Sequence, residues 1–137
     1  MKPLYTATAT TTAGRNGHSE TSDGKIKFDL NLPKELGGSG VGTNPEQLFA
    51  CGYSACFGGA IDLVARQKKH VLKHIEVTAK VVLNQTDAGG FALSAEIHAN
   101  LPELSKADAE AIVAEAHKVC PYSNATRNNI EVKVSAN

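Results

Sequence analysis

The sequence predicts an α+β fold in a single domain over residues 1–137, and three observations carry that reading. Apolar residues alternate with polar ones at the period of a strand in several separate segments. Two longer segments instead carry helix start signals. Glycine-bearing turns rather than long linkers separate them, and no internal repeat occurs.

Tyr5, Ala7 and Ala9 alternate with Thr6, Thr8 and Thr10, which predicts a first strand. The stretch AGRNG (Ala13 to Gly17) follows as a turn, and Ser22-Asp23-Gly24 reads as a hairpin turn. Ile26, Phe28, Leu30 and Leu32 then predict a strand with one buried face, ended by Pro33. The run GGSGVG (Gly37 to Gly42) raises a phosphate cradle as an alternative. It lacks the Lys-Ser/Thr of a P-loop and the spacing of a dinucleotide fingerprint, so it reads as flexible or closely packed backbone.

A helix is predicted to begin at Pro45, which suits a first helical position, with Thr43 or Asn44 as cap, and to run to about Lys68. Its first half is apolar on every side, which implies cover all round; Arg66, Gln67 and Lys69 give it a polar face only beyond Asp62. Ile75, Val77, Ala79, Val81 and Leu83 form another alternating strand, which TDAGG turns back into Phe91, Leu93, Ala95, Ile97 and Ala99. Ser105 with Asp108 three residues on opens a second helix to about Val119, and Pro121 limits its continuation. Ile130, Val132 and Val134 make a last strand.

A chain of 137 residues buries roughly 70% of its unfolded surface. Aromatics are only 5% of it, so much of the core must be small aliphatics, a thin core for a monomer. The 14 basic and 14 acidic residues cancel, which argues against a nucleic-acid or anionic-membrane partner. The longest uncharged stretch, between Glu46 and Asp62, has the length of a buried core helix rather than a membrane span. With no N-terminus of the signal-peptide kind, the 3 cysteines read as thiols of a reducing cytosol, and a cytoplasmic location is expected.

Cys56, Cys120, Arg15 and Glu46 are the residues that could carry chemistry, and each has a bland reading beside the functional one. Free cysteines are commonly buried spectators, and Cys51 keeps that reading. Five helical residues turn about 140°, so Cys51 and Cys56 face different ways and cannot easily bridge. His117 and Cys120 could be half a metal site, but no second ligand pair stands at zinc-finger spacing. Arg15 could be a solvated charge in a turn, and Thr43 with Glu46 fits a capping box. Helix spacing alone leaves the function open.

The stretches GTNPEQLFACGYSACF and VCPYSNATR, with GRNG and LGGSGVGTNPE nearer the N-terminus, resemble the organic hydroperoxide resistance (Ohr) proteins of the OsmC/Ohr superfamily over nearly the whole chain. The resemblance implies an intertwined α+β homodimer whose strands wrap two central helices. It implies a peroxidatic Cys56, a resolving Cys120 and an activating pair in Arg15 and Glu46. It also implies dihydrolipoamide or a lipoylated protein as reductant, with no cofactor. Cys51 stands where the family usually has Ala, Ala13 where Gly is common, and Asn128 where Gly is usual.

That chemistry suits these residue types. A free thiol with a pKa of about 8.5 is only a few per cent thiolate at neutral pH, and a guanidinium favours the ionised form while its planar fork holds a carboxylate. Leu48, Phe49, Phe57 and Ile61 are expected to give an apolar lining suited to alkyl and fatty-acid hydroperoxides. Glu46 and Cys56 are ten residues apart on the predicted helix, about 15 Å along its axis and about 80° around it. Either Gly52 breaks the helix, or Glu46 of one subunit serves Cys56 of the other; the second is expected. The rival readings are an OsmC-type peroxidase and a non-enzymatic dimer that binds or senses an apolar ligand.

Overall fold

Two tight turns shape the first of the two units into which the chain divides, Met1–Leu48; the second is Phe49–Asn137. The computed structural model describes residues 1–137. In the first unit, β1 (Ala9–Thr12), β2 (His18–Thr21) and β3 (Lys27–Asp29) form an antiparallel sheet in that order. The first strand starts later than the alternation predicts, because its partner fixes it: Ala9 pairs with Thr21 and Thr12 with His18, leaving Tyr5 and Ala7 outside and exposed. β2 has no apolar alternation to betray it. The strand expected over Ile26 to Leu32 contracts to Lys27–Asp29, and Leu30 instead bridges to Thr43.

Both predicted turns form. Ala13 and Gly14 take left-handed φ values of 57° and 56° and lead into a 3-10 turn, Gly14–Asn16. In the hairpin turn, Gly24 at φ 70° donates its N–H to the Thr21 carbonyl. The glycine-rich run is irregular, and a Cβ on Gly38 would stand 2.0 Å from the Leu32 carbonyl oxygen, so the closely packed reading holds there. Leu30 is the one buried hydrophobic residue of this unit, and β1 is exposed throughout. The first unit has no apolar core of its own.

Helix α1 (Pro45–Gln67) matches the predicted bounds closely and runs unbroken through Gly52. Asn44 is its cap: the Asn44 Oδ1 accepts the Gln47 N–H at 2.9 Å. Thr43 donates its hydroxyl to Gln47 Oε1, so the expected Thr43–Glu46 capping box does not form and the Glu46 carboxylate is left for another partner. By length and composition α1 could cross a bilayer, yet Tyr53, Phe57, Ala60, Ile61, Val64 and Ala65 form a buried stripe along it.

That stripe packs in the second unit with β5 (Phe91–Asn100) and α2 (Lys106–Val119) through Ala95, Ile97, Ala99, Ile112, Val113 and Ala116. β4 (Glu76–Gln85) pairs with β5 in the predicted hairpin register, Glu76 opposite Asn100 and Gln85 opposite Phe91. β6 (Val132–Ala136) lies parallel to β5 on its other side, and α2 supplies part of the crossover such a pairing needs. Ser105 caps α2, accepting the Asp108 N–H and donating to Asp108 Oδ2. The opposite side of α1 is not covered within the chain: Leu48, Cys51, Ala55 and Leu63 are exposed, against the expectation of cover all round and of a buried Cys51.

Pro121 ends α2 as predicted, but it also begins a helix that the sequence reading did not assign, α3 (Pro121–Thr126). Proline forces the residue before it out of helical conformation, and its missing N–H costs nothing at a first helical position. Cys120 is therefore the extended hinge, φ −62° and ψ 125°, between two helices.

Candidate active site

The four candidate residues come together as two pairs, each inside one unit. In the first, the turn Gly14–Asn16 carries Arg15 and is tied down on both sides: Asn16 Oδ1 accepts the Leu32 N–H and the Gly17 carbonyl accepts the Leu30 N–H. Gly17 has no alternative residue, since a Cβ there would lie 1.7 Å from the Thr12 carbonyl oxygen. From this turn Arg15 meets Glu46 with a two-point fork, Nη2 to Oε1 at 2.7 Å and Nη1 to Oε2 at 2.9 Å. The Arg15 hydrogen bonds hold the Glu46 carboxyl below its ordinary pKa, and Glu46 raises that of Arg15. Both stay charged at neutral pH. Both Glu46 oxygens are thus occupied by the guanidinium.

In the second pair, Cys56 from the middle of α1 and Cys120 from the α2–α3 hinge stand with their sulfurs 3.6 Å apart, joined by a weak S–H hydrogen bond. Cys120 is fully buried and Cys56 half-buried. Burial pushes the Cys56 thiol above its ordinary pKa, the Tyr122 backbone N–H opposes this, and the neighbouring Cys120 sulfur adds to it. These local groups hold the thiol protonated.

Aromatic rings share the core with the two cysteines. Phe49, Tyr53 and Tyr122 meet with centroids 5.7 to 5.8 Å apart, and Phe57 lies 6.3 Å from the His117 ring. Gly52 makes room for them, because a Cβ there would come within 2.7 Å of the Tyr122 hydroxyl. Phe57 and Ile61 are wholly buried in the core, so of the apolar lining expected from sequence only Leu48 and Phe49 keep any exposure. The His117–Cys120 half-site gathers no further ligand: His117 Nδ1 bonds Ser123 Oγ, and no group of three or more His, Cys, Asp or Glu side chains gathers as a metal site. Cys51 stands exposed and unpaired. Sequence reasoning missed the Tyr122 amide and the partners of Tyr53; the proline after Cys120 was the available signal that a new helix, with free N–H groups, starts there.

Two free thiols, one on α1 and one at the α2–α3 hinge, thus stand in contact. Comparison with known proteins narrows the reading. A profile described as OsmC-like protein matches residues 37–135. The organic hydroperoxide resistance protein of Xanthomonas axonopodis pv. citri is 48% identical over 98% of this chain and 95% of its own. The crystal structure of an organic hydroperoxide resistance protein from Legionella pneumophila superposes with a TM-score of 0.94 at 52% identity, covering 98% of both chains. That of OhrB from Bacillus subtilis does so at 0.90 and 40%, covering 98% of this chain and 100% of that one. The chain belongs to the OsmC-like family and, within it, to the organic hydroperoxide resistance proteins.

Proposed function

We propose that the chain is a thiol-dependent peroxidase that reduces organic hydroperoxides to alcohols. The observation that carries this reading is the contact of Cys56 and Cys120 across 64 residues of sequence, at 3.6 Å, in a chain of this family. The Cys56 thiolate attacks one peroxide oxygen, the O–O bond breaks, and the departing alkoxide takes a proton to leave as the alcohol. Cys56 is then a sulfenic acid. The Cys120 thiol displaces its hydroxyl as water, forming a Cys56–Cys120 disulfide. An external dithiol, dihydrolipoamide or a lipoylated protein, restores both thiols by exchange and leaves as its own disulfide. Haem, flavin and metal have no part in these steps.

Arg15 is the cation proposed to ionise Cys56 and to stabilise charge on the departing oxygen, aimed by its fork with Glu46. Because α1 is unbroken at Gly52, Glu46 and Cys56 stand ten residues apart on one continuous helix. The site is therefore proposed to be shared in a homodimer, Glu46 of one subunit serving Cys56 of its partner. The exposed apolar stripe Leu48, Cys51, Ala55 and Leu63, and a first unit without a core, support a dimer in which a second copy covers them. A cytoplasmic location follows from a cycle that needs reduced dithiols.

Steady consumption of an alkyl hydroperoxide such as tert-butyl hydroperoxide, with dihydrolipoamide as the only reductant, is the expected activity, faster than with hydrogen peroxide. Thiols that stay unreacted would leave a non-enzymatic binder of apolar ligands instead. Sharing of the site has its own test in isolated mixed dimers of Glu46→Ala and Cys56→Ser subunits. If the site is shared, both lesions fall in one site and about half the wild-type activity returns. If each site belongs to one chain, every site carries a lesion and none returns.

A further inference from the structure

A polar chain, buried at Tyr53, Ser123 and Thr126 and half-buried at His117, links α1 to the segment that carries Cys120, one turn before each sulfur. Tyr53, three residues before Cys56 on α1, places its hydroxyl 3.0 Å from Ser123 Oγ and 3.2 Å from Thr126 Oγ1. His117, three residues before Cys120 on α2, places Nδ1 2.9 Å from the same Ser123 Oγ. Tyr53 and Ser123 are completely buried and Thr126 nearly so. Thr126 also donates to the Ser123 carbonyl at 3.2 Å.

The protons can be placed by counting. His117 Nδ1–H donates to Ser123 Oγ, Ser123 to Tyr53 Oη, Tyr53 to Thr126 Oγ1, and Thr126 to the Ser123 carbonyl. Every proton is used once and all four contacts are hydrogen bonds. The reverse direction, with His117 accepting, leaves the Ser123 carbonyl without its Thr126 donor. The count therefore places a proton on His117 Nδ1. Burial and the nearby Arg127 charge, which push the His117 pKa down, agree with a neutral ring.

α3 has six residues and no side-chain cap, and a helix of that length does not hold itself. Its position is fixed from outside: by Tyr53 of α1, by His117 of α2, and by Arg127, which donates to the His117 carbonyl and to Asn124 Oδ1. Cys120 is the residue on which α3 turns, and Tyr122, the second residue of α3, has its backbone N–H near enough to the Cys56 thiol to draw its pKa down. Whatever holds α3 therefore holds both the second sulfur and an N–H near the first.

We infer that the chain His117–Ser123–Tyr53–Thr126 is a positioning device for the capture step, setting the rate at which the Cys120 thiol reaches an oxidised Cys56. The inference rests on the peroxidase reading above. None of these four side chains touches the peroxide; each acts through the placement of α3. Removing the Tyr53 hydroxyl cuts the chain in its middle while leaving the ring packing in place.

The test compares wild type, Tyr53→Phe and Ser123→Ala in single turnovers with tert-butyl hydroperoxide. Loss of peroxide reports attack by Cys56, dimedone trapping reports the sulfenic acid, and non-reducing peptide mapping reports the disulfide. For Tyr53→Phe the expected result is disulfide formation slowed about tenfold or more, with attack within about threefold of wild type and sulfinic acid at Cys56 at lower peroxide excess. Ser123→Ala, which keeps the Tyr53–Thr126 bond, should shift the same ratio in the same direction. Equal slowing of attack and capture would mark a merely structural role and overturn the inference, as would capture within twofold of wild type in both variants. Wild type that forms no disulfide at all would instead overturn the peroxidase reading, and the inference with it.

Discussion

Cys56→Ser is expected to abolish hydroperoxide reduction, whereas Cys120→Ser should complete one turnover and stop. The asymmetry follows from exposure and order of events. Cys56 is half-buried and can be reached from outside, while Cys120 is sealed and touches Cys56 itself. Serine in place of the nucleophile has an alcohol pKa and no sulfur lone pair for the peroxide oxygen, so the loss should exceed about a thousandfold, or roughly 4 kcal/mol of barrier. Without Cys120 the sulfenic acid at Cys56 has no captor and proceeds to sulfinic acid as peroxide continues to arrive. With one equivalent of peroxide per subunit, rapid-quench analysis should show one alcohol per subunit for Cys120→Ser and none for Cys56→Ser. Steady turnover by Cys56→Ser with a dithiol would reverse the assignment. Cys51→Ala should change little, since that thiol is exposed and unpaired on another face of α1.

Arg15→Ala should have the next largest effect, and it should appear as a changed titration. Burial pushes the Cys56 thiol up, and the Tyr122 amide is the one local group opposing it. Each unit of upward shift removes about nine-tenths of the thiolate at neutral pH, or about 1.4 kcal/mol. An adjacent guanidinium lowers such a pKa by roughly 1 to 3 units. The rate of Cys56 alkylation against pH should therefore reach its half-maximum near or below the ordinary thiol range in wild type. It should move above that range in Arg15→Ala. Arg15→Lys should recover part of the shift, because it keeps the charge but lacks the two-point fork that Glu46 holds at 2.7 and 2.9 Å. An unchanged curve for Arg15→Ala would remove Arg15 from the activating role.

Much of this fold was legible in the sequence wherever one face of an element is buried against the chain itself. The β4–β5 hairpin, α2 with its Ser105 cap and α1 from Pro45 lie where periodicity and capping residues put them. The failures have a common physical source. β2 and the ends of the first sheet bury almost nothing within the chain, so their residues carry no alternation to read, and cross-strand pairing alone fixes them. α1 shows the converse: it is apolar on all sides in sequence, but the chain covers one side only. At the site, the sequence offered four residues and a resemblance. It could not show that Glu46 prefers Arg15 to the cap, that Phe57 and Ile61 belong to the core, or that α3 exists. Each of those depends on which side chains meet across the fold. Pro121 signalled a helix end; the same proline also suits a first helical position, and the Tyr53, Ser123 and Thr126 hydroxyls meet within and against the helix that follows.

The central claim is that Cys56 and Cys120 are one redox unit, and a single oxidation tests it most directly. Fully reduced protein receives one equivalent per subunit of tert-butyl hydroperoxide, free thiols are blocked, and peptides are mapped without reductant. The account predicts a near-stoichiometric Cys56–Cys120 disulfide, one alcohol released per subunit, and Cys51 blocked as a free thiol. Three free thiols with the peroxide unconsumed, or a disulfide that includes Cys51 in place of Cys120, would contradict it.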